Sequence, residues 1–130
     1  MHPALTRDSY REFAQDWASW WNSGDVERVL ECFDADIVFT SPTAFAVTGS
    51  GTVRGKEALR SYWTTALARF GNPHFTVDRV LWDPTVRELA IIYTSVHAGQ
   101  TKRMSENLRL DDAGKIVSAE VFHGVTAPAK

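Results

Sequence analysis

The sequence predicts an α+β domain: a conical barrel in which a strongly bent antiparallel or mixed sheet wraps over three N-terminal helices. Three observations carry this. Apolar residues recur at helical spacing only up to Phe70. From Phe75 onward they alternate, which is the period of strands. Within Phe75–Trp82 the parity switches, since Phe75 and Val77 share one side and Val80 and Trp82 the other. A bulge near Asp78–Arg79 reconciles the two sides and bends the sheet. Helices segregated from an antiparallel sheet make an α+β domain.

The elements follow in order. Ser9-x-x-Glu12 reads as a capping box, with Thr6 as another N-cap. Tyr10, Phe13, Ala14, Trp17, Trp20 and Trp21 then give one wide buried face, on which Trp17 and Trp21 are four apart. Asn22-Ser23-Gly24 ends the helix, with Gly24 at C′. Asp25 caps a short second helix that turns Val26, Val29, Leu30 and Phe33 inward. Ile37–Thr40 is a short strand stopped by Ser41-Pro42. Residues 43–54, with Gly49, Ser50 and Gly51, read as an irregular hairpin or flap. Gly55 opens a third helix bearing Ala58, Leu59, Tyr62, Trp63, Ala66, Leu67 and Phe70, and Gly71-Asn72-Pro73 closes it. Four long strands follow: Phe75–Trp82, Val86–His97, Gln100–Leu110 and Lys115–Thr126, with Ala127–Lys130 as a frayed tail.

The totals bound the function. The 130 residues form one domain, 1–130, with its core at about 8–125. A net charge of −2 gives no reason to expect nucleic acid or an anionic membrane as partner. No apolar run has the length of a membrane span, and the N-terminus lacks a signal-peptide core. The one cysteine, Cys32, sits without an activating context, and a cytoplasmic address is expected. Five tryptophans point to a bulky core or a lined cavity. No HxH, HExxH or paired-Cys spacing occurs, so no metal is expected; no phosphate loop and no GxSxG occur either, and no cofactor is implied.

The last hairpin carries the chemistry. Asp111–Lys115 is its turn, and setting Leu110 against Val117 pairs Leu108 with Ala119, Glu106 with Val121 and Met104 with His123. That face is apolar except for Glu106 and His123, which stand diagonally. The other face carries Ser105, Asn107, Arg109, Ser118, Glu120 and Phe122. A slip of one residue would exchange the faces, so the pattern favours this register. Glu106 and His123 are therefore the candidate catalytic pair at the polar centre of a pocket. Desolvation raises the pKa of such a carboxyl group. The bland alternative is a structural Glu–His hydrogen bond. Tyr93 and His97 share a parity with Ile91 and form a secondary pocket-facing pair. Trp17, Trp21 and Trp63 read as core or pocket wall, and Met104 and Val121 as apolar lining.

Ser23-Gly24-Asp25, Phe33-Asp34-Ala35-Asp36-Ile37-Val38, Val53-Arg54-Gly55-Lys56-Glu57-Ala58-Leu59 and Gly114-Lys115-Ile116-Val117 occur in this order. The set resembles the nuclear-transport-factor-2-like superfamily in its SnoaL-like branch, over roughly Asp8 to Val125. The resemblance implies a conical fold with an internal pocket, and commonly a homodimer through the outer sheet face. It does not imply one reaction, because the fold hosts many. Ketosteroid isomerases of that superfamily place their base just before a proline after the first strand. The matching residue is Ser41, which is not a carboxylate, so ketosteroid isomerase activity is not expected. Trp17 matches an oxyanion-binding tyrosine, Glu106 a second oxyanion donor, and Trp63 and His123 pocket positions.

Three functions are consistent with these residues. One is a cofactor-independent acid/base enzyme of isomerase, cyclase or dehydratase type acting on a small hydrophobic, carbonyl-bearing molecule. There Glu106 is the acid/base, His123 its partner, and Trp17 and Ser41 orienting donors. The second is a noncatalytic binder of an apolar ligand. The third is a structural dimer whose cone is filled by its aromatics.

Overall fold

The computed structural model describes residues 7–128. In chain order it contains α1 (Arg7–Asn22), α2 (Val26–Glu31), β1 (Phe33–Thr40), α3 (Pro42–Thr48), β2 (Thr52–Arg54), α4 (Lys56–Phe70), β3 (His74–Asp83), β4 (Glu88–His97), β5 (Gln100–Leu110) and β6 (Ile116–Pro128). The six strands form one curled, unclosed sheet in the order β2-β1-β6-β5-β4-β3. β1 runs parallel to β6 and every other neighbouring pair is antiparallel, so the sheet is mixed. The helices α1, α2 and α4 are the three expected ones, and they pack their apolar faces with the concave side of the sheet into one core.

Arg7 and Asp8 are already helical, so Ser9 lies inside α1 and not at its cap. Thr6, the other expected cap, is outside the described residues. The helix ends as expected: Gly24 has φ 75°, and the Gly24 and Asp25 amides donate to the carbonyls of Trp21 and Trp20. Just before that end, Asn22 behaves like a short piece of strand. Its Nδ2 donates to the Phe75 carbonyl at 3.1 Å, and its Oδ1 accepts from the Phe75 amide at 2.6 Å. This double bond ties the start of β3 to the end of α1 and places the Phe75 ring flat on Trp17.

The expected bend is present. The β3–β4 register shifts between Val77 and Arg79, leaving Asp78 as the extra residue. Two further shifts lie on β6, opposite Lys102–Met104 and Arg109–Leu110. The second corrects the hairpin register at its turn end: Leu110 pairs with Ile116, not Val117. The Asp111 carboxylate causes this by accepting from the Ala113 and Lys115 amides, which tightens the turn. Ile116 then enters the core and donates its amide to Cys32. Beyond the turn the register is as derived, with Leu108 on Ala119, Glu106 on Val121 and Met104 on His123. At the far end, Gly124 lets β6 cross close to β5, since a Cβ there would lie 3.2 Å from the Arg103 carbonyl oxygen.

Residues 43–54 are not an irregular flap. They hold α3 and the edge strand β2, which pairs with β1. Ser41 is the N-cap and accepts from the Thr43 amide at 3.2 Å; Pro42 occupies the first turn, and Gly49, with φ 81°, closes the helix. β1 starts at Phe33, earlier than the expected Ile37. Ala127 and Pro128 are not frayed but continue β6 opposite Thr101 and Gln100. Among the described residues, no helix is long and apolar enough to cross a membrane.

Candidate functional site

Alternation along the strands sets the depth of a cavity of about 390 Å³ inside the curl. β5 contributes Gln100, Lys102, Met104 and Glu106 to its wall, and burial deepens in that order from exposed Gln100 to Glu106 at 5% exposure. On β4 the matching series is His97, Ser95 and Tyr93, and on β6 it is His123 and Val121. α4 adds Tyr62 and Trp63, and α3 adds Thr43 and Ala46. The floor therefore lies at Glu106 and Tyr93, and the mouth at Gln100, Lys102 and His97. The volume falls within the range of roughly 300–1,000 Å³ usual for small-molecule sites.

Glu106 is the carboxylate of this floor. The Tyr93 hydroxyl donates to its Oε1 at 3.1 Å, which leaves Oε2 for a ligand. Burial pushes the Glu106 carboxyl up to about 8, and the Tyr93 bond opposes that rise. At neutral pH the group is therefore mostly a carboxylic acid, able to donate a hydrogen bond. Tyr93 itself is held well above the usual phenol range by burial and by the Glu106 charge. Tyr62 is pushed up to about 12 by burial, while the Ser41 hydroxyl works the other way and the Glu106 charge adds to the rise.

His123 is pulled below its ordinary value by burial, helped by the Lys102 charge, and is neutral at pH 7. Its Nε2 is buried without a hydrogen-bond partner. No hydrogen bond or ion pair joins it to Glu106 among the described residues. The expected structural Glu–His hydrogen bond is therefore not formed: the hydrogen-bond partner of Glu106 is Tyr93. The reason is the diagonal placement. His123 stands opposite Met104, one inward position nearer the mouth than Glu106.

The other expected residues separate into three groups. Trp21, Ser41, Trp63, Tyr93, Met104 and Val121 all border the cavity. Trp21 meets Trp63 edge to face at 4.7 Å, so its partner is across the helices and not Trp17 on its own face. His97 stands at the rim, where its Nε2 contacts the Gly71 carbonyl at 2.8 Å and holds the turn between α4 and β3. Trp17 does not border the cavity. It is 1% exposed behind Phe75 and Tyr93, at ring distances of 5.2 and 5.0 Å, which is why it is no orienting donor for a ligand. Its indole Nε1 is buried without a partner.

Sequence reasoning missed Tyr62, Ser95, Gln100 and Lys102 as lining residues. The signal was available on the strands. Ser95 lies between Tyr93 and His97 in parity, and Gln100 and Lys102 precede Met104 and Glu106 in theirs. Cys32 caps the C-terminus of α2 and points its Sγ at the Arg28 carbonyl, and burial raises its pKa, so it is no nucleophile. No cluster of three His, Cys, Asp or Glu side chains suited to a metal occurs among the described residues.

Comparison with known proteins places this geometry among relatives. A family model described as the SnoaL-like domain matches residues 14–119. A SnoaL-like protein of unknown function from Burkholderia thailandensis shares 24% identity and a TM-score of 0.81, over 93% of this chain and 98% of its own. The epoxide hydrolase/cyclase-like enzyme SalBIII, of pyran ring formation in the polyether salinomycin, is similar at 16% identity and a TM-score of 0.72, over 94% of this chain and 97% of its own. A computationally designed 17-OHP binder is similar at 19% identity and a TM-score of 0.69, over 91% of this chain and 95% of its own. At these identities the solved structures speak for the fold. No curated protein matches the chain significantly.

Proposed function

This chain belongs to the SnoaL-like domain family, and from that premise we propose that it binds a small hydrophobic, carbonyl-bearing molecule and catalyses cofactor-independent proton transfer on it. The observation that carries the reading is Glu106, buried at the floor of an otherwise largely apolar cavity with the Tyr93 hydroxyl on one of its oxygens. Burial moves Glu106 up and His123 down, so at neutral pH the one is a neutral acid and the other a neutral base. Two titratable groups whose surroundings push them apart are a natural acid/base assignment. Glu106 Oε2 donates its proton toward a ligand carbonyl oxygen while the His123 imidazole, which borders the cavity, accepts a proton from the adjacent carbon. Returning that proton to another carbon isomerises the ligand. Expelling a β-hydroxyl instead, which takes up the proton held by His123 and leaves as water, dehydrates it. A cyclase-like enzyme and a designed ligand binder share this fold, so the fold itself is compatible with a catalytic cavity and with a bound apolar molecule.

The test is hydrogen exchange on 2-tetralone, a small apolar ketone, followed in D2O by NMR. Exchange at the α-carbon should exceed the buffer rate. Its pH profile should be a bell, falling on the acid side as His123 protonates below 6.5 and on the alkaline side near 8 as Glu106 ionises. Glu106→Gln should abolish exchange while 2-tetralone still binds, though more weakly. Binding with no exchange by the wild type would leave the noncatalytic binder, the reading that the lack of a carboxylate at Ser41 favours.

Two further features belong to this proposal. The chain assembles as a homodimer through the outer sheet face, where Phe122 is 52% exposed beside Ser105, Asn107 and Glu120. Its address is the cytoplasm, since its one cysteine serves no internal disulfide.

A further inference from the structure

We infer that the cavity takes an elongated amphipathic molecule with a carboxylate at one end, held by Lys102 at the mouth, and a carbonyl or hydroxyl at the other, held by Glu106 and Tyr93 at the floor. This rests on the reading that the cavity binds a small apolar molecule, and it specifies what kind. Lys102 and Glu106 are the two side chains of formal charge on the wall. They stand on the same strand with Met104 between them in parity. Four residues of strand separate them by roughly 13 Å at about 3.3 Å per residue.

Among the described residues, Lys102 meets no carboxylate. Its neighbours across the sheet are Ser95 on β4 and Thr126 on β6. The other two cations of β5 are more exposed and are paired, Arg103 with Asp78 at 2.9 Å and Arg109 with Glu88 at 3.6 Å. Lys102, half-buried at the rim of an apolar chamber, is thus the one cation of this strand without an ion-pair partner among the described residues. With Glu106 protonated, nothing on the wall cancels its charge. An anion entering head-out gains that charge and keeps its apolar body on Met104, Val121, Trp63 and Phe75. Midway, the His123 ring borders the path between the two ends. Reversed entry would put the anion against buried Glu106 and Tyr93 at the floor of the cavity, where a charge is costly. The competing explanation is that the Lys102 stem covers the rim while its head stays in water.

Three rigid probes separate these explanations: 6-acetyl-2-naphthoic acid, its methyl ester and 2-acetylnaphthalene, titrated against the protein by tryptophan fluorescence. The acid should bind about fivefold more tightly than the ester at low ionic strength, with the advantage shrinking as salt is added. Lys102→Met should remove the acid's advantage, and Lys102→Glu should invert it, while binding of the ester and of 2-acetylnaphthalene is unchanged. Glu106→Gln should weaken all three and keep the ratio of acid to ester. An ester that binds the wild type as tightly as the acid, or a ratio that survives both lysine variants, overturns the carboxylate assignment while leaving the cavity a site for apolar ketones. If none of the three binds at millimolar concentration, the assignment falls together with the binding reading.

Discussion

A buried carboxylic acid leaves a signature in stability as well as in catalysis, and Glu106→Gln reads it without any substrate. Folding moves the Glu106 carboxyl from 4.5 to about 8, chiefly by desolvation. Below 4.5 the folded and unfolded chains both hold the proton, and above about 8 both have lost it. Between the two, the folded chain keeps a proton that the unfolded chain has released. Raising the pH therefore favours unfolding, with a slope of about 1.4 kcal/mol per pH unit. Across the interval the loss is on the order of 4–5 kcal/mol. That is a large part of a typical domain stability of roughly 5–15 kcal/mol.

Glutamine has nearly the same shape and no proton to lose. The two proteins should therefore have similar stability near pH 5 and diverge steadily as the pH rises, with the variant several kcal/mol more stable by about pH 9. His123 contributes with the opposite sign. Its lowered pKa means that stability is lost as the pH falls below 6.5 and the unfolded chain takes up a proton. Both proteins share that contribution, so the difference isolates Glu106. Urea unfolding over this range, read from the midpoint at constant m, supplies the curve. Parallel profiles for wild type and variant would show that Glu106 ionises like an ordinary carboxyl group, and the neutral-acid mechanism would fall with it.

Further outcomes follow from neighbouring contacts. Tyr93→Phe removes the hydrogen bond to Glu106 Oε1, the influence that lowers its pKa, so the carboxyl band of the protonated acid in difference infrared spectra should persist to higher pH than in the wild type. The same variant should lose about 1–3 kcal/mol at alkaline pH, where the carboxylate is left without a partner, and less at acid pH; an unmoved band would refute the coupling. Asn22→Ala should cost about 1–3 kcal/mol, because the amide and carbonyl of Phe75 both lose their partner; an unchanged urea midpoint would show that β3 is anchored elsewhere. Light scattering at micromolar concentration should give a dimer mass for the wild type and a monomer mass for Phe122→Glu, and a monomeric wild type would remove the outer face as an interface.

Much of this arrangement is legible in the sequence because strand parity is a strong constraint. The pattern from Met104 to His123 suffices to turn Glu106 and His123 to the same side, and the parity switch in Phe75–Trp82 suffices to place the bulge at Asp78. What parity cannot convey is the extra residue that a turn side chain creates. The Asp111 carboxylate draws the loop tight and substitutes Ile116 for Val117 in the core. The α3 segment was legible and was misread: Ser41, Pro42 and Gly49 are a cap, a first-turn proline and a left-handed terminus. The β-favouring Thr43, Phe45 and Val47 between them masked the signal. Trp17 was misplaced for a different reason. Helical spacing gives the buried face of α1, but which tryptophan reaches the cavity depends on Phe75, which the Asn22 clamp sets in front of Trp17.

The same desolvation links stability and function. A residue serving only to close the core would be better as leucine, since a lone buried carboxyl carries a penalty that an apolar side chain lacks. Here that penalty is left largely uncompensated: one tyrosine hydroxyl contacts one oxygen, no cation pairs with it among the described residues, and the side chain borders the cavity. The available cation, Lys102, is held at the mouth, too far along β5 to draw the proton off Glu106. Moved next to the carboxyl, it would stabilise the ionised form and remove the acid. The separation of Lys102 from Glu106 along one strand thus keeps the floor neutral and the mouth positive, which is the arrangement that orients an anionic ligand with its carbonyl end innermost.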